Sequence, residues 1–151
     1  QNQLISAYSL HNELRERFSP DVLKTLYQPF YFDRRGQFKM GESPTFHNPI
    51  FQWNQVELTM RYMYYYIQVG HQQAERALAP DQEEALDILE MLLCCSDFHV
   101  EFSLQPGQIL FTNNHWILHN RTQFEDYPNP KRRRHYVRLW LQRRMDSDET
   151  N

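Results

Sequence analysis

Two arginines near the C-terminal end have the residue type and spacing to bind anionic groups. Between residues 134 and 142, apolar residues alternate with polar and aromatic ones, which predicts a strand with Arg134 and Arg138 on one face. At about 3.3 Å per residue, their Cα atoms would be roughly 13 Å apart, so each could bind a different anion within one cavity. Arginine suits this task because its planar guanidinium pairs with a carboxylate through two parallel hydrogen bonds.

Two other interpretations of the same arginines remain open. Taken alone, the pattern favours an edge strand whose basic face is simply solvated. A basic arm for nucleic acid is the other interpretation, because seven of the sixteen Lys and Arg residues lie between Lys131 and Arg144. The formal net charge of −3 weighs against nucleic-acid binding.

A histidine in the preceding predicted strand could bind a metal ion. His119 lies in a segment, residues 115–121, that follows the Asn113-Asn114 turn. Histidine is the commonest protein metal ligand, but a lone strand histidine is more often a hydrogen-bonded structural residue. His115 lies in the same segment and is equally plausible, so the pattern alone does not single out either residue.

The elements that must position these residues are helices followed by short strands. Apolar spacing and capping residues predict helices over residues 4–18, 20–27 and 64–78, and a further helix that begins at Pro80. Period-two alternation and turn residues predict strands over residues 30–33, 56–62, 98–104, 108–112, 115–121 and 134–142, with a loop over 41–49. This order predicts a mainly β member of the α+β class, with a β-barrel or jelly roll covered by helices.

Length and composition limit the class of protein. A chain of 151 residues is expected to form one domain, and no apolar run approaches the roughly 20 residues that a membrane span needs. The first residues lack the features of a secretory signal, so a cytoplasmic protein is expected. The adjacent Cys94 and Cys95 are predicted to be buried reduced thiols, since a disulfide between them would be strained.

Several segments resemble the taurine dioxygenase (TauD/TfdA) family. The Pro106-Gly107 turn, the Asn113-Asn114 turn and His119-Asn120-Arg121-Thr122 match the closing strands of that family, which end in His-x-Arg-Thr. The spacing of Arg134 and Arg138 matches its terminal Arg-x-x-x-Arg strand, and residues 10–14 and 29–36 resemble the helical region after its 2-oxoglutarate-contacting strand. The resemblance covers most of the chain and is strongest in the last 40 residues.

The resemblance implies a fold, a cofactor and roles for three residues. The family has a double-stranded β-helix of the jelly-roll, cupin-like kind, which holds Fe(II) with a His-x-Asp/Glu pair and a later histidine and uses 2-oxoglutarate and molecular oxygen. Carried over by motif, His119 is the later iron ligand, Arg134 pairs with the distal carboxylate of 2-oxoglutarate, and Arg138 faces the substrate. Residues 1–96 would then be helical insert and cover, and residues 97–145 closing barrel strands, in one domain incomplete at its N-terminus.

The chain departs from the family in one important respect, because no His-x-Asp occurs in it. Two His-x-Glu triplets are the nearest substitutes, His11 with Glu13 and His99 with Glu101. The first pair is two residues apart on a predicted helix, so its side chains point away from each other. The second pair lies on a strand where the family has no ligand. The iron site is therefore expected to lack its His-x-Asp half.

Two function hypotheses from different classes follow. The first is an Fe(II)- and 2-oxoglutarate-dependent dioxygenase of the hydroxylase type, acting on a small anionic or amino-acid-like substrate. The second is a non-catalytic β-helix protein that binds an anion or a partner after losing its metal site. The partners expected are a small-molecule substrate and either a second copy of the chain or the missing N-terminal portion, with neither nucleic acid nor membrane.

Overall fold

Helices and short strands alternate along the part of the chain that the structure describes. The structure, a computed structural model, describes residues 1–123, 125–133, 135 and 137–141. Its α-helices are α1 (Ala7–Arg17), α2 (Pro20–Leu26), α3 (Tyr64–Gln73) and α4 (Pro80–Cys94). Its strands are β1 (Asn2–Ser6), β2 (Pro29–Asp33), β3 (Thr45–Pro49), β4 (Phe51–Trp53), β5 (Leu58–Met60), β6 (Val100–Phe102) and β7 (Ile117–Arg121). The protein is thus of the α+β class.

The strands form one three-stranded sheet and two hairpins, all antiparallel. The three-stranded sheet has the order β6-β1-β7, so the N-terminal strand lies between two strands from the far end of the chain. Leu4 of β1 pairs with Val100 on one side and with His119 on the other. Strands β2 and β3 form one hairpin, and β4 and β5 form the other.

Local signals explain where α2 and α4 begin. The Ser19 hydroxyl accepts a hydrogen bond from the Asp21 amide at 3.3 Å, and Pro20 occupies the first helical position. Helix α4 also starts with a proline, Pro80, and the Gln82 side chain accepts a hydrogen bond from the Ala79 amide at 3.1 Å. Both helix starts confirm the sequence-based predictions.

A single apolar cluster joins the helices to the hairpins. One stripe of α4 is buried and consists of Ala85, Leu86, Leu89 and Leu92. The other fully buried large side chains are Leu10, Leu14, Leu26, Phe30, Phe32, Ile50, Phe51 and Ile67. Because α1 and α2 contribute to this cluster beside β2 and β4, burial of apolar surface is the main force that holds the elements together.

Helix α3 lies unusually close to strand β2. A Cβ atom built on Gly70 would be 2.5 Å from the carbonyl oxygen of Tyr31 and 2.7 Å from the Cα of Phe32. The neighbouring His71 is buried and accepts a hydrogen bond from the Tyr31 amide at Nε2, 3.2 Å away. Its Nδ1 donates to the carbonyl of Arg76 at 2.9 Å, which fixes the tautomer of the ring.

The turn at Pro106-Gly107 forms as expected. The carbonyl of Gln105 accepts a hydrogen bond from the Gln108 amide at 3.0 Å, which closes the turn. Gly107 has a φ of +85°, in the left-handed region that favours glycine.

Several strand predictions are wrong. Residues 2–6 form β1 rather than the start of the first helix, and β3 replaces part of the predicted loop over residues 41–49. Residues 108–112 form no strand, and neither do residues 135 and 137–141 of the predicted last strand. Because the described helices hold more residues than the described strands, the expectation of a mainly β chain is also wrong.

Apolar side chains in the two segments that were predicted as strands are open to solvent. Ile109 and Phe111 are 76% and 75% exposed. Val137, Leu139, Trp140 and Leu141 are 74% to 77% exposed. Exposed apolar side chains of this kind form a candidate interaction surface.

Two further findings concern the cysteines and the membrane. Cys94 is exposed and Cys95 is partly buried, so the prediction of two buried thiols is wrong for Cys94. Both are free thiols, as predicted. Within the described ranges, no helix combines the length and the apolar character that crossing a bilayer requires.

Candidate functional site

His119 lies on an outer strand of the three-stranded sheet. It pairs with Leu4 across β1, and because paired residues share a face, the side chains of His119, Leu4 and Val100 lie on the same side of the sheet. The adjacent strand residue on that side, Arg121, is two positions along β7 and pairs with Asn2. His119 itself is exposed at this surface.

Partial burial and two positive charges act on the His119 ring. Partial burial of the ring, and then the charges of Arg138 and Arg121, lower the pKa of His119 below its ordinary value. A lowered pKa favours the neutral imidazole near neutral pH, which is the form that binds a metal ion. The structure therefore brings Arg138 within electrostatic reach of His119, although the two residues are not on paired strands.

Of the other predicted site residues, Arg138 and His115 are among the described residues and Arg134 is not. Arg138 is exposed and lies outside any strand of the described residues. Arg134, the predicted partner of 2-oxoglutarate, lies outside the described residues. The alternative histidine, His115, is exposed; its amide donates to the Asn113 side chain at 2.9 Å and its carbonyl accepts from the Met60 amide at 2.7 Å.

The side chains of His11 and Glu13 each contact other residues. The Nε2 atom of His11 is 3.0 Å from the hydroxyl of Tyr27, and the ring packs edge-on against Phe51 at a centroid distance of 5.4 Å. Glu13 forms an ion pair with Arg17, one helical turn further along α1. The two side chains therefore serve different contacts, as their helical spacing predicts.

The pair His99 and Glu101 is also engaged. His99 Nε2 donates a hydrogen bond to the carbonyl of Leu93 at 2.8 Å, which leaves Nδ1 as the acceptor, 3.3 Å from the side-chain nitrogen of Gln3. Glu101 accepts from the same Gln3 nitrogen at 2.6 Å. Both ring nitrogens thus have protein partners, so this pair does not offer an open metal site.

The described residues do not make up an iron site on their own. No group of three or more His, Cys, Asp or Glu residues able to hold a metal ion occurs in the described ranges. A facial triad needs two histidines and a carboxylate with open positions, and His119 supplies one of these three ligands. The donor set of this part of the chain therefore does not fit Fe(II) by itself.

Sequence reasoning missed two residues beside His119. Asn2, almost fully buried, and Leu4 come from a segment that the helical pattern concealed. The strand period within residues 115–121 already placed Arg121 on the same face as His119, and that signal could have predicted the second positive charge.

Comparison with known proteins shows the family. The model of the "Taurine catabolism dioxygenase TauD, TfdA family" matches residues 1–140, so the chain belongs to that family. It is 28% identical over 142 residues to "FR-33289 synthase" of Streptomyces rubellomurinus, covering 90% of this chain and 41% of that protein. It is 29% identical over 140 residues to "Taurine hydroxylase-like protein SAT17" of Stachybotrys chartarum, covering 90% of this chain and 34% of that protein.

The chain therefore spans well under half the length of either of these relatives. The recognised family is one of dioxygenases, and family membership implies a cupin-like fold. The short sheets of the described residues are not a closed double-stranded β-helix.

Proposed function

We propose that this chain is part of an Fe(II)- and 2-oxoglutarate-dependent dioxygenase of the hydroxylase type. The observation that carries the proposal is the family match over residues 1–140, which includes His119, Arg134 and Arg138. The names of the two relatives, a synthase and a hydroxylase-like protein, are compatible with this activity. When bound, iron and 2-oxoglutarate supply the oxidising chemistry, and the protein supplies binding and orientation.

In this proposal, His119 is one of the iron ligands. Its lowered pKa keeps the imidazole neutral and so available to a metal ion near neutral pH. The remaining ligands are not among the described residues, so no further step is assigned to this chain. A double-stranded β-helix completed by other parts of the protein would enclose this site.

The two arginines are proposed to bind anionic groups. Arg134 pairs with the distal carboxylate of 2-oxoglutarate, and Arg138 faces a small anionic or amino-acid-like substrate. The electrostatic effect of Arg138 on His119 supports the second role, since a substrate must lie close to the iron. Guanidinium groups suit both tasks because they pair with carboxylates through two hydrogen bonds.

The alternative is a non-catalytic domain that binds an anion or a partner. The observation that favours it is the lack of a complete metal-binding group in the described part of the chain. A single neutral imidazole does not hold Fe(II) well, so this alternative predicts no chelate even in a longer gene product.

An anaerobic titration with Fe(II) and 2-oxoglutarate separates the two. We would titrate the 151-residue chain and the product of the complete reading frame, and follow the visible charge-transfer band of the chelate. The dioxygenase proposal predicts a band in the complete product, loss of that band in His119→Ala, and weaker 2-oxoglutarate binding in Arg134→Gln. His115→Ala is the matched control and should keep the band. A complete product without a band would favour the binding domain.

A further inference from the structure

Three arginines outside the His119 sheet form no ion pair with a carboxylate among the described residues. The ion pairs among the described residues join Arg15 to Glu16, Arg17 to Glu13 and His99 to Glu101. Arg34 and Arg35, just after β2, and Arg61, between β5 and α3, take part in none of them. An anion that binds near several such arginines is attracted by each of their positive charges.

Aromatic rings hold these arginines in place. The guanidinium carbons of Arg34 and Arg61 are 5.7 Å and 5.1 Å from the centroid of one ring, that of Phe46. Arg35 lies 5.1 Å from the ring centroid of Tyr66 and also donates a hydrogen bond to its hydroxyl. Two positive charges thus share a single phenyl ring, and the third arginine, which contacts a ring on α3, directly follows Arg34 in the chain.

The shared ring is anchored to the core. Phe46 stacks on the buried Phe32 at a centroid distance of 5.5 Å, because the two residues pair directly across the β2–β3 hairpin. Arg34 is fixed further by its Nε, which donates to the Thr45 carbonyl at 3.3 Å. Among the described residues, the two terminal nitrogens of Arg34 make no hydrogen bond, while the Nε contact orients the guanidinium before any ligand arrives.

The carboxylates of Asp33 and Glu42, near Arg34 and Arg35 in the sequence, accept hydrogen bonds from other groups. Asp33 accepts hydrogen bonds from the Arg35 amide at 2.8 Å and from the Gln73 side chain at 3.3 Å. Glu42 accepts from the Lys39 amide at 3.0 Å, within the hairpin loop. Neither acid forms an ion pair with Arg34, Arg35 or Arg61 among the described residues.

The same hairpin loop also exposes apolar side chains. Met40 is fully exposed and Phe38 is 40% exposed, on either side of Lys39. Protein interfaces are enriched in arginine, aromatic residues and methionine. A small inorganic anion would make no use of these two side chains, whereas a polypeptide could contact them.

We propose that Arg34, Arg35 and Arg61, with Phe38 and Met40, form a docking surface for a carboxylate-rich segment of another protein. An extended segment places acidic side chains at positions i and i+2 about 7 Å apart on one face, a spacing that can serve two guanidinium groups around one ring. The exposed Phe38 and Met40 favour a polypeptide as the occupant, and the local group of arginines favours an acidic one. The three arginines follow β2 and β5, whereas His119 lies on β7.

Fluorescence anisotropy with a defined probe tests this surface. The probe is a labelled short peptide in which glutamate alternates with leucine, and the comparison peptide has glutamine in place of glutamate. We expect the glutamate peptide to bind, with an affinity that falls as salt rises from about 0.05 M to about 0.5 M. Arg34→Gln combined with Arg61→Gln should weaken binding about tenfold or more.

A matched double variant controls for net charge. Arg15→Gln with Arg17→Gln removes the same two charges from exposed pairs on α1, and such pairs contribute little to stability. Its affinity for the peptide should stay within about twofold of the parent protein. Arg61→Gln alone is a second test variant, because the Arg61 side chain has its ring contact and no hydrogen bond within the described residues, which keeps folding intact.

Four outcomes would overturn the proposal. The first three are that the glutamate peptide does not bind, that the glutamine peptide binds equally well, and that the two double variants lose peptide affinity equally. The fourth is that phosphatidylserine vesicles sediment the protein in a manner lost in Arg34→Gln with Arg61→Gln while the peptide does not bind. That last result would assign the surface to lipid headgroups instead.

Discussion

Two histidines make fixed structural contacts, and they differ in this from the histidine that is proposed to bind iron. His71 uses both ring nitrogens, with Tyr31 and Arg76, and His99 does so with Leu93 and Gln3. A metal ion would have to displace a buried hydrogen bond at either place, which costs about 1–3 kcal/mol for each group left unpaired. His119 is exposed, and its ring makes no hydrogen bond among the described residues.

The lowered pKa of His11 predicts how the stability of the protein changes with pH. Burial, followed by the charge of Arg15, lowers the pKa of His11 in the folded protein. Since the unfolded chain then takes up a proton at higher pH than the folded chain, this histidine's contribution is intact above about pH 6.5 and is lost as the pH falls below that value.

We therefore expect His11→Gln to reduce the loss of thermal stability between neutral pH and about pH 5. Thermal melting across this range, for the parent protein and the variant, measures the difference. His47→Gln, at an exposed position on β3, is the control. If the two variants lose stability with falling pH to the same extent as the parent protein, the effect does not come from His11.

At the scale of elements, the contact between α3 and β2 gives the clearest prediction. Replacing a helical glycine with alanine usually stabilises a protein by about 0.5–1 kcal/mol. At Gly70, the new Cβ would meet the backbone of Tyr31 and Phe32, which cannot move aside without shifting the strand. We expect Gly70→Ala to destabilise the protein by about 1–3 kcal/mol, the cost of overpacking.

Chemical denaturation checks the sign of this change. Gln72→Ala, on an exposed position of the same helix, is the control and should leave the free energy of unfolding within about 0.5 kcal/mol. A stabilised Gly70→Ala variant would mean that α3 does not approach β2 this closely.

The helices could be predicted from sequence because their signals are local. Ser19 and the prolines at positions 20 and 80 act within one turn, and the apolar stripe of α4 repeats over its whole length. Strand β1 could not be predicted, since the helical spacing of Leu4 with Ala7 and Leu10 runs unbroken across the boundary at Ser6. Its strand conformation depends on partners about a hundred residues away.

The candidate site could be predicted only in part. The Asn113-Asn114 turn predicted a strand through both His115 and His119, and the choice between them rests on the family resemblance. The effect of Arg138 on His119 depends on the path of the chain after β7, where the predicted strand does not form in residues 137–141. A strand needs a partner for its hydrogen bonds, and alternation alone does not say whether one is present.

At the scale of the whole molecule, the exposed apolar segments predict association. Ile109 and Phe111, and the apolar residues at 137 and 139–141, are about three-quarters exposed. Both outer strands of the three-stranded sheet, β6 and β7, also have an unpaired edge within the described residues. We propose that these surfaces are covered by a second copy of the chain or by another portion of the protein.

Size-exclusion chromatography with light scattering tests this proposal on the 151-residue chain. We expect a dimer or larger species, with Val137→Ser and Leu139→Ser together shifting the population towards monomer. Val56→Ser with Met63→Ser, at exposed apolar positions elsewhere, is the control and should not shift it. A stable monodisperse monomer of the parent chain would contradict the proposal.

The central position of β1 has a consequence for the order of assembly. Its neighbours β6 and β7 lie near the other end of the chain, with Asn2 paired to Phe102 and to Arg121. Contacts between residues so distant in sequence form slowly, because a long loop must close before they are made. During synthesis, the helices and hairpins can therefore fold before the two strands that pair with β1 have been made. The sheet that carries His119 therefore forms only after the ribosome has released the whole of β7.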